Sequence, residues 1–436
     1  MKLKVKQKII ILATVITASI LTINYLTYIP GLFFVNAADI TNSYEEIFPD
    51  YKSLIPSFSS SLSNDPSENN LSDNAYQSKI APEFEKTGDK SQSIININSG
   101  QPISMADLKG KVVLVNFWTY SCINVLRTLP HLIDWNAKYG GDKGLVIVGV
   151  HTPEFGFEKN TDFVKTSLQK YGIKYPVIQD NDYKIWNAYG NNYWPRMYLV
   201  DDKGVIRYDK IGEGEYNQTE KEIQSLLAER NSNSNNVIKY IDNRNTSFSL
   251  DNKKSQFNST SNNNNNDISN FLKQPVDFSK IKTQEMYFGN QGSNSAVGNS
   301  GGVFEPGQIV TYNLPPTSIS NSTIEPNTIY LEGKWKNNHD NLELQSDTGR
   351  IVLNYSAQYV NLVAGGTGQG IVHEDNALLS NHSKGVDTAN NDSKFVIDYP
   401  RLYNIVNHQS YDDEDFHSLV IDVKGKGFQA YAFTFG

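Results

Sequence analysis

Between residues 94 and 227, short apolar runs alternate with segments in which apolar residues recur at helical spacing. Val112–Phe117 and Leu145–Val150 are continuous apolar runs with the length of buried strands. Leu126–Tyr139 and Thr161–Tyr171 follow them with the periodicity of helices. This alternation predicts an α/β domain with a largely parallel sheet.

A hairpin and a closing helix complete this region. The turn sequence Asp201–Gly204 separates two apolar stretches, Met197–Val200 and Val205–Tyr208, and its glycine can adopt the positive φ of a tight turn. Helical spacing returns at Tyr183–Tyr189 before the hairpin and at Thr219–Arg230 after it. We therefore predict that the α/β domain occupies residues 81–230.

From about residue 283 the pattern changes to short strands separated by turn-rich segments, without a convincing helical pattern. The predicted strands are Thr328–Trp335, Arg350–Val363, Lys394–Asp398 and Ser418–Phe435. A series of short strands without helices is typical of a β-sandwich of the jelly-roll type. The sequence therefore predicts an all-β domain over residues 276–436.

Two polar stretches separate the predicted units. Residues 39–80 are rich in Ser, Asn, Asp and Pro, which predicts a disordered stalk. Residues 231–275 contain the run Asn262–Asn266 among Ser and Thr residues, which predicts a low-complexity linker. The predicted organisation is thus 1–38, 39–80, 81–230, 231–275 and 276–436.

The N-terminus has the pattern of a signal peptide or of a membrane anchor. Lys2, Lys4, Lys6 and Lys8 precede an apolar stretch from residue 9 to residue 29, which is long enough to span a bilayer with the lysines on the cytoplasmic side. Cleavage near Ala37 would instead remove this stretch. In either case we predict an extracytoplasmic protein, anchored in the membrane by residues 9–29 or secreted after cleavage.

Composition narrows the chemistry. The chain of 436 residues has a net charge of −8 and no basic cluster outside its N-terminus, which argues against nucleic acid as a partner. It contains one cysteine, which excludes an internal disulfide and a cysteine-based zinc site. Its seven histidines lack metal-ligand spacing. We therefore expect neither a metal nor a cofactor.

The single cysteine, Cys122, lies between a predicted strand and a predicted helix. At the start of a helix, free backbone N–H groups and the helix dipole stabilise a thiolate. The position therefore predicts a nucleophile whose pKa is lower than that of a free thiol. The alternative is a buried structural cysteine.

Residues 118–130 read WTYSCINV-L-RTLP. They resemble the motif WTYSCINC-x-RTLP of DipZ-type proteins, in the TlpA-like branch of the thioredoxin superfamily. Further stretches match that family in the same order: Leu108–Lys111, Gly149–Phe155, Tyr193–Arg196, Gly212–Tyr216, Glu285–Gly289, Pro400–Tyr403 and Ala430–Gly436. The resemblance implies a thioredoxin-like α/β domain followed by a carbohydrate-binding-module-like β-domain.

This chain departs from the family motif at Val125, where a resolving cysteine is expected. A second thiolate normally releases the mixed disulfide that the first one forms, and valine cannot do so. Cys122 could then form a mixed disulfide or a sulfenic acid and would need an external thiol for release. We also expect no multi-helix electron-carrying membrane domain ahead of the redox unit.

The resemblance implies roles for residues near Cys122. Pro195 stands at the position of the cis proline that binds an extended substrate, and Trp118 and Trp194 would form walls of that site. Asn116 replaces the buried Asp that thioredoxins commonly carry. Glu154 is the nearest carboxylate by topology and could take the thiol proton. The alternatives are core packing for the tryptophans and a solvated acid or helix cap for Glu154.

These observations favour thiol–disulfide exchange through the single cysteine, with extracytoplasmic thiol or disulfide proteins, or an external thiol reductant, as partners. One alternative is a non-catalytic scaffold that functions through its β-domain. A lesser one is a one-cysteine peroxidase, because Thr119 stands three residues before Cys122 as in peroxiredoxins, although Val115 replaces their proline. In the β-domain, five aromatic residues are candidates either for stacking on a glycan or for the core: Trp335, Tyr355, Tyr359, Tyr403 and Tyr431.

Overall fold

The computed structural model describes residues 80–84, 94–96, 103–238, 272, 276–289, 297–299, 306–315, 324–389, 392–409 and 415–436, with side chains in the third of these ranges up to residue 232. We refer to residues 80–238 as the α/β part and to residues 276–436 as the β part. The predicted signal or anchor, nearly all of the predicted stalk and most of the predicted linker lie outside the described residues. None of the helices within the described ranges is long and apolar enough to cross a membrane.

Within its described residues, the α/β part has six strands and four α-helices. The strands are β1 (Ile94–Ile95), β2 (Val112–Trp118), β3 (Leu145–His151), β4 (Val177–Gln179), β5 (Arg196–Val200) and β6 (Ile206–Ile211). The helices are α1 (Ile123–Tyr139), α2 (Thr161–Tyr171), α3 (Lys184–Ala188) and α4 (Tyr216–Ile238). Short 3₁₀ turns cover Gly141–Lys143 and Gly156–Lys159.

The sheet of the α/β part has the strand order β1-β4-β3-β2-β5-β6. Strand β3 runs parallel to β2 and to β4, whereas the other three pairings are antiparallel. The prediction of a largely parallel sheet is therefore wrong, and the sheet is mixed. The reason is the β5–β6 hairpin, which places β5 antiparallel to β2 and turns at Gly204 with a φ of +89°.

Strand β2 lies in the middle of this sheet and is buried along its whole length. Its residues alternate between two apolar clusters, because successive side chains of a strand point to opposite faces. Leu114 and Trp118 face the cluster that includes α1, and Val115 and Phe117 face the cluster on the other side. This double burial explains why β2 reads as a continuous apolar run.

The described residues of the β part form a large antiparallel sheet of 12 strands that curls on itself. Its strands are β7 (Met286–Tyr287), β8 (Ile309–Tyr312), β9 (Ile329–Asn337), β10 (Leu342–Leu344), β11 (Thr348–Tyr355), β12 (Tyr359–Gly366), β13 (Gln369–Glu374), β14 (Ala377–Leu378), β15 (Lys394–Val396), β16 (Arg401–Asn407), β17 (His417–Lys424) and β18 (Phe428–Phe435). Strand β9 pairs with β11 through its first half and with β8 and β10 through its second half. It thus joins two halves that enclose one apolar core.

Two predicted strands of the β part are each divided in the structure. The predicted strand 350–363 is interrupted at residues 356–358, between β11 and β12. The predicted strand 418–435 is a hairpin that turns at Gly425 and Gly427, whose φ angles are +128° and +91°. The apolar pattern misses the first break because Ala357 is as buried as the strands beside it.

The α/β part and the β part belong to one compact unit and share an apolar cluster. The β part contributes Tyr359, Val363, Leu402, Tyr431 and Ala432 to the cluster that packs on α1 and α2. The structure also differs from the prediction in the linker, since α4 continues to Ile238 and the side chain of Leu272 is buried in this shared cluster.

Candidate active site

Cys122 occupies the N-cap position of α1, directly after β2 and the Thr119–Ser121 turn. Its side chain is partly exposed. The backbone N–H groups of Asn124 and Val125 donate hydrogen bonds towards its sulfur, and each lowers the pKa of the thiol. The predicted position at the start of a helix is therefore confirmed.

The predicted lowering of the Cys122 pKa, however, is wrong. Burial in low-dielectric surroundings raises the pKa well above its ordinary value, and the carboxyl groups of Glu154 and Glu285 raise it further. These effects outweigh the two backbone N–H groups. The thiol is thus held in its protonated form, and a base is needed to produce the nucleophilic thiolate.

Glu158 connects the loop after β3, through hydrogen bonds, to the turn that precedes Cys122. Its fully buried carboxylate accepts hydrogen bonds from the hydroxyl groups of Thr119 and Ser121, the latter at 2.6 Å. It also accepts backbone N–H bonds from Glu154 and from Phe155, the latter at 3.0 Å. These four bonds fix the position of Glu154 relative to the cysteine turn.

Glu154 is half-buried, and it faces Cys122 from this loop. Burial raises its pKa to about 8, and the neighbouring charge of Glu158 acts in the same direction. A hydrogen bond with Tyr287 acts in the opposite direction. Glu154 is therefore a carboxyl group that can hold or release a proton near neutral pH, and not the solvated acid of the alternative interpretation.

The loop before β5 contains the predicted cis proline. The Trp194–Pro195 peptide bond is cis, which confirms this expectation. Trp194 is half-buried, packs on Trp186 with ring centroids 4.2 Å apart, and donates its indole N–H to the carbonyl of Thr152 at 3.1 Å. Trp118 is fully buried in the core, as the packing alternative predicts, so only Trp194 of the two tryptophans offers a partly exposed face.

The residue at the position of the missing cysteine is also part of the core. Val125 lies one turn into α1 and is fully buried in the shared cluster. Asn116 is fully buried in β2, and its side-chain amide has no hydrogen-bond partner among the described residues. Neither side chain can titrate or attack a disulfide.

Three further residues of the site were not predicted. Glu285 and Tyr287 come from the β part: the Tyr287 hydroxyl lies 3.0 Å from Glu154 Oε1 and 3.2 Å from Glu285 Oε2. Glu158 is the third. Glu285 and Tyr287 lie in the stretch 285–289, which matches the family, so the resemblance marked this stretch as shared with it. No pattern in the sequence, however, placed the stretch beside Cys122.

Arg127 also lies near the cysteine, one turn further along α1. Its guanidinium group forms a two-pronged pair with Glu213, with both N···O distances 2.8 Å, and donates to the side-chain oxygen of Asn124 at 2.8 Å. Its charge is therefore balanced by Glu213, and the carboxyl groups dominate the surroundings of the thiol.

The aromatic residues proposed for glycan stacking are buried, which confirms the core alternative for them. They are Trp335, Tyr355, Tyr359, Tyr403 and Tyr431. Within the described ranges, no group of three or more His, Cys, Asp or Glu side chains is arranged to hold a metal ion.

Comparison with known proteins agrees with this geometry. The Redoxin family model matches residues 52–227, and the model described as Thioredoxin like C-terminal domain matches residues 283–436. The thiol-disulfide oxidoreductase ResA of Bacillus anthracis is 33% identical over 129 residues, which cover 29% of this chain and 68% of ResA. This chain belongs to the thioredoxin family of thiol–disulfide oxidoreductases.

Within the thioredoxin family the chain is of the DipZ/TlpA-like type. The protein DipZ of Mycobacterium tuberculosis is 31% identical over 352 residues, which cover 78% of this chain and 41% of DipZ. The chain thus spans about two-fifths of the length of that relative. A crystal structure of a thioredoxin-like superfamily protein, 25% identical, covers 34% of this chain and 96% of its own with a TM-score of 0.30.

Proposed function

We propose that this protein catalyses thiol–disulfide exchange through Cys122 alone. The observation that carries the proposal is a partly exposed thiol at the start of a helix, in a thioredoxin-family fold, beside a carboxyl group that can exchange a proton near neutral pH. Val125 leaves the site with one sulfur, so each step needs a sulfur atom from another molecule.

The reaction proceeds in two exchanges. Glu154 in its ionised form takes the proton from Cys122, and the thiolate attacks a substrate disulfide R–S–S–R′. A bond forms between Cys122 Sγ and R–S, and R′–S⁻ leaves with the proton that Glu154 returns. An external thiol R″–SH then attacks the mixed disulfide, forms R–S–S–R″ and restores Cys122. One disulfide is consumed and one is produced, so no electrons are gained or lost overall.

The test uses the full chain with a glutathione disulfide substrate. We expect the wild-type protein to accumulate a mixed disulfide at Cys122 when no external thiol is present, and Cys122→Ser to accumulate none. Val125→Cys should release the adduct by forming an internal disulfide, because a thiol at this position lies one helical turn from Cys122. With an added dithiol reductant, which reduces that disulfide, the variant should give reductase turnover. An unreactive wild type, together with an inactive Val125→Cys protein, would exclude the exchange reaction.

A redox-inactive scaffold is the second candidate, and the raised pKa of Cys122 favours it. The peroxidase candidate is less favoured by the site, because the Thr119 hydroxyl donates to buried Glu158 and is fully buried itself. Consumption of hydrogen peroxide by the wild type but not by Cys122→Ser would support the peroxidase. If the Cys122→Ser protein keeps the full biological function of the wild type, this result would support the redox-inactive scaffold.

We propose further that the reaction takes place outside the cytoplasm. The support is the N-terminal pattern of lysines followed by the apolar stretch 9–29. The partners would be extracytoplasmic thiol or disulfide proteins, and a glycan ligand of the β part stays a proposal. A reporter fused after Gly436 should be active only if it is of a kind that works outside the cytoplasm, and activity of a cytoplasm-only reporter would refute the location.

A further inference from the structure

Two residues of the β part complete the polar surroundings of Cys122. Tyr287 belongs to β7, and Glu285 is the residue directly before that strand. Both side chains are half-buried. The Tyr287 hydroxyl bridges Glu154 of the α/β part and Glu285 of the β part, at 3.0 and 3.2 Å. Asn124, two residues after the cysteine, donates to the other oxygen of Glu285 at 3.5 Å.

This bridge has a proton requirement that follows from counting donors. A phenol carries one O–H and can donate one hydrogen bond, while an ionised carboxylate can only accept. Since Tyr287 Oη is within hydrogen-bond distance of two carboxyl groups, both bonds form at full strength only when a carboxyl group donates one of them. The three side chains are therefore satisfied when they hold two protons: the phenol proton and one carboxyl proton.

Two arrangements of these protons fit the same positions of the heavier atoms. In one, Glu154 is protonated and donates to Tyr287, which donates to ionised Glu285. In the other, Glu285 donates to Tyr287, which donates to ionised Glu154. A shift of both protons along the bridge converts one into the other. Glu154 can therefore change from acid to base without a change in side-chain conformation.

Burial, together with the neighbouring acid Glu158, keeps a proton on this group at neutral pH. Burial raises the pKa of Glu154 to about 8, and it also raises the pKa of Glu285. Of the other charged groups that face the site, Arg127 is paired with Glu213, and Glu158 is held by its four donors. The pair of carboxyl groups around Tyr287 is thus the source of exchangeable protons beside the thiol.

We propose that Glu154, Tyr287 and Glu285 form a proton store for Cys122, and that the β part supplies two of its three members. This inference rests on the exchange reaction proposed above. When Glu285 holds the carboxyl proton, ionised Glu154 accepts the proton of the Cys122 thiol. When the leaving thiolate departs, Glu154 returns that proton, and the store regains its original content. Tyr287 and Glu285 act through Glu154 and are positioning residues.

The decisive experiment compares two disulfides on the full chain. A nitrobenzoate aromatic disulfide releases a thiolate that needs no proton, whereas oxidised glutathione releases a basic alkyl thiolate that does. We expect Tyr287→Phe to slow both reactions, because both require removal of the Cys122 proton, and to slow formation of the glutathione adduct about tenfold more than reaction with the aromatic disulfide. The matched control is Tyr431→Phe, since Tyr431 packs in the same interface but its hydroxyl donates to Gln429.

A second measurement needs no disulfide. Glu285→Gln removes a negative group that raises the pKa of Cys122, so alkylation by iodoacetamide at pH 7.5 should accelerate about threefold to tenfold. Glu374→Gln serves as the control, because Glu374 is also bonded to a tyrosine of the β part, Tyr355. In the combined Glu285→Gln/Tyr287→Phe variant the loss of exchange with glutathione should be no greater than in the more affected single variant.

The outcomes separate this inference from the proposed function. If the wild type reacts with both disulfides and Tyr287→Phe slows both equally or neither, the proton store is refuted while exchange stands. If Glu285→Gln leaves the alkylation profile unchanged, the contribution of the β part to the thiol is refuted. If the wild type reacts with neither disulfide but Glu285→Gln shifts the alkylation profile, the proposed exchange fails and the coupling between Cys122 and the β part stands.

Discussion

At Cys122 two groups of interactions oppose each other. The N–H groups at the start of α1 favour the thiolate, and burial together with Glu154 and Glu285 favours the thiol. The first group follows from the position of the residue in a strand–helix junction and is predictable from sequence. The second group depends on the loop that contains Glu154 and on the segment of the β part that contains Glu285. It outweighs the first, so the pKa of Cys122 is raised.

The raised pKa of Glu154 predicts a pH dependence of stability. The folded state holds this proton up to about pH 8, whereas the ordinary value is 4.5, so its stabilising effect is full below pH 4.5 and is lost as the pH rises towards 8. Glu154→Gln should therefore gain stability relative to the wild type, by about 2 kcal/mol at pH 8 after allowance for partial exposure. Urea unfolding between pH 5 and 8 measures the difference.

Glu325→Gln, at an exposed acid of the β part, is the control for the loss of one acidic side chain. A constant difference between Glu154→Gln and the wild type across the pH range would contradict the assignment of a shifted pKa to Glu154.

The sequence allowed the positions of Cys122, Glu154 and the cis Pro195 to be predicted, because they lie in or beside one continuous motif or at the end of a recognisable strand. Tyr287 lies 133 residues from Glu154 in the chain, and its contact arises only when the two parts pack together. Trp118 shows the opposite case: its place in the motif suggested a substrate wall, but alternation along β2 directs it into the core.

At the scale of elements, the loop Thr152–Lys159 links β3 to the active site through one buried acid. Glu158 closes the start of its 3₁₀ turn by accepting the N–H of Phe155, and it bonds to the turn before α1. A local sequence pattern cannot reveal this role, since Glu158 looks like any acid in a polar loop. Its burial follows from the apolar residues on both sides, Phe155 and Phe157, which pack on the β part.

Removal of the Glu158 carboxylate should weaken this connection. Glu158→Ala leaves two hydroxyl groups and two N–H groups without their acceptor, and it should lower the free energy of unfolding by on the order of 3 kcal/mol or more. Glu158→Gln should lose about half as much, because its oxygen can accept from the N–H groups while the hydroxyls rotate to accept from its NH₂. Urea unfolding provides the comparison.

Equal losses in the two variants would contradict the prediction that a side-chain amide can replace part of the hydrogen bonding of the Glu158 carboxylate. The alkylation rate of Cys122 provides an independent check, because release of the loop should displace Glu154 and change the pH profile of the thiol.

The bounds of β3 and α2 were predictable because a polar residue or a glycine flanks each of them on both sides. Helix α2 agrees with its predicted bounds because Asn160 caps its start, accepting from two backbone N–H groups, and Gly172 ends it with a φ of +70°. The turn between β11 and β12 could not be found in this way. Two of its three residues, Ser356 and Ala357, are as buried as the strands beside them, so burial does not mark the change of direction.

At the scale of the whole molecule, the two parts share one apolar cluster instead of meeting at a polar surface. Tyr431 packs against Phe155 and Phe157 with ring centroids 5.4 and 4.6 Å apart, and Asp340 accepts the N–H of Gly156 at 2.8 Å. The order of an α/β part and an all-β part was predictable from hydrophobic periodicity. Their common core was not, because each part alone has the pattern of an independent domain.

Cleavage between the parts should therefore not separate them. With a protease site placed at Asn262–Asn266, we expect both fragments to elute together in native gel filtration and to separate only in urea. The shared burial of large apolar side chains contributes the association energy. Tyr431→Ala should weaken the complex and serves as the control. Separate elution of the wild-type fragments under native conditions would contradict a common core.

The shared core also has a consequence for biosynthesis. Translation delivers about 5–20 residues per second, so the roughly 200 residues between the end of α4 and Tyr431 take about 10–40 s to emerge. During that interval Leu126, Phe155 and Phe157 lack the side chains that cover them in the finished protein. The nascent α/β part would expose an apolar surface to the proteins that bind it during synthesis or export. Dependence on a chaperone should thus be greatest before the last strand is made.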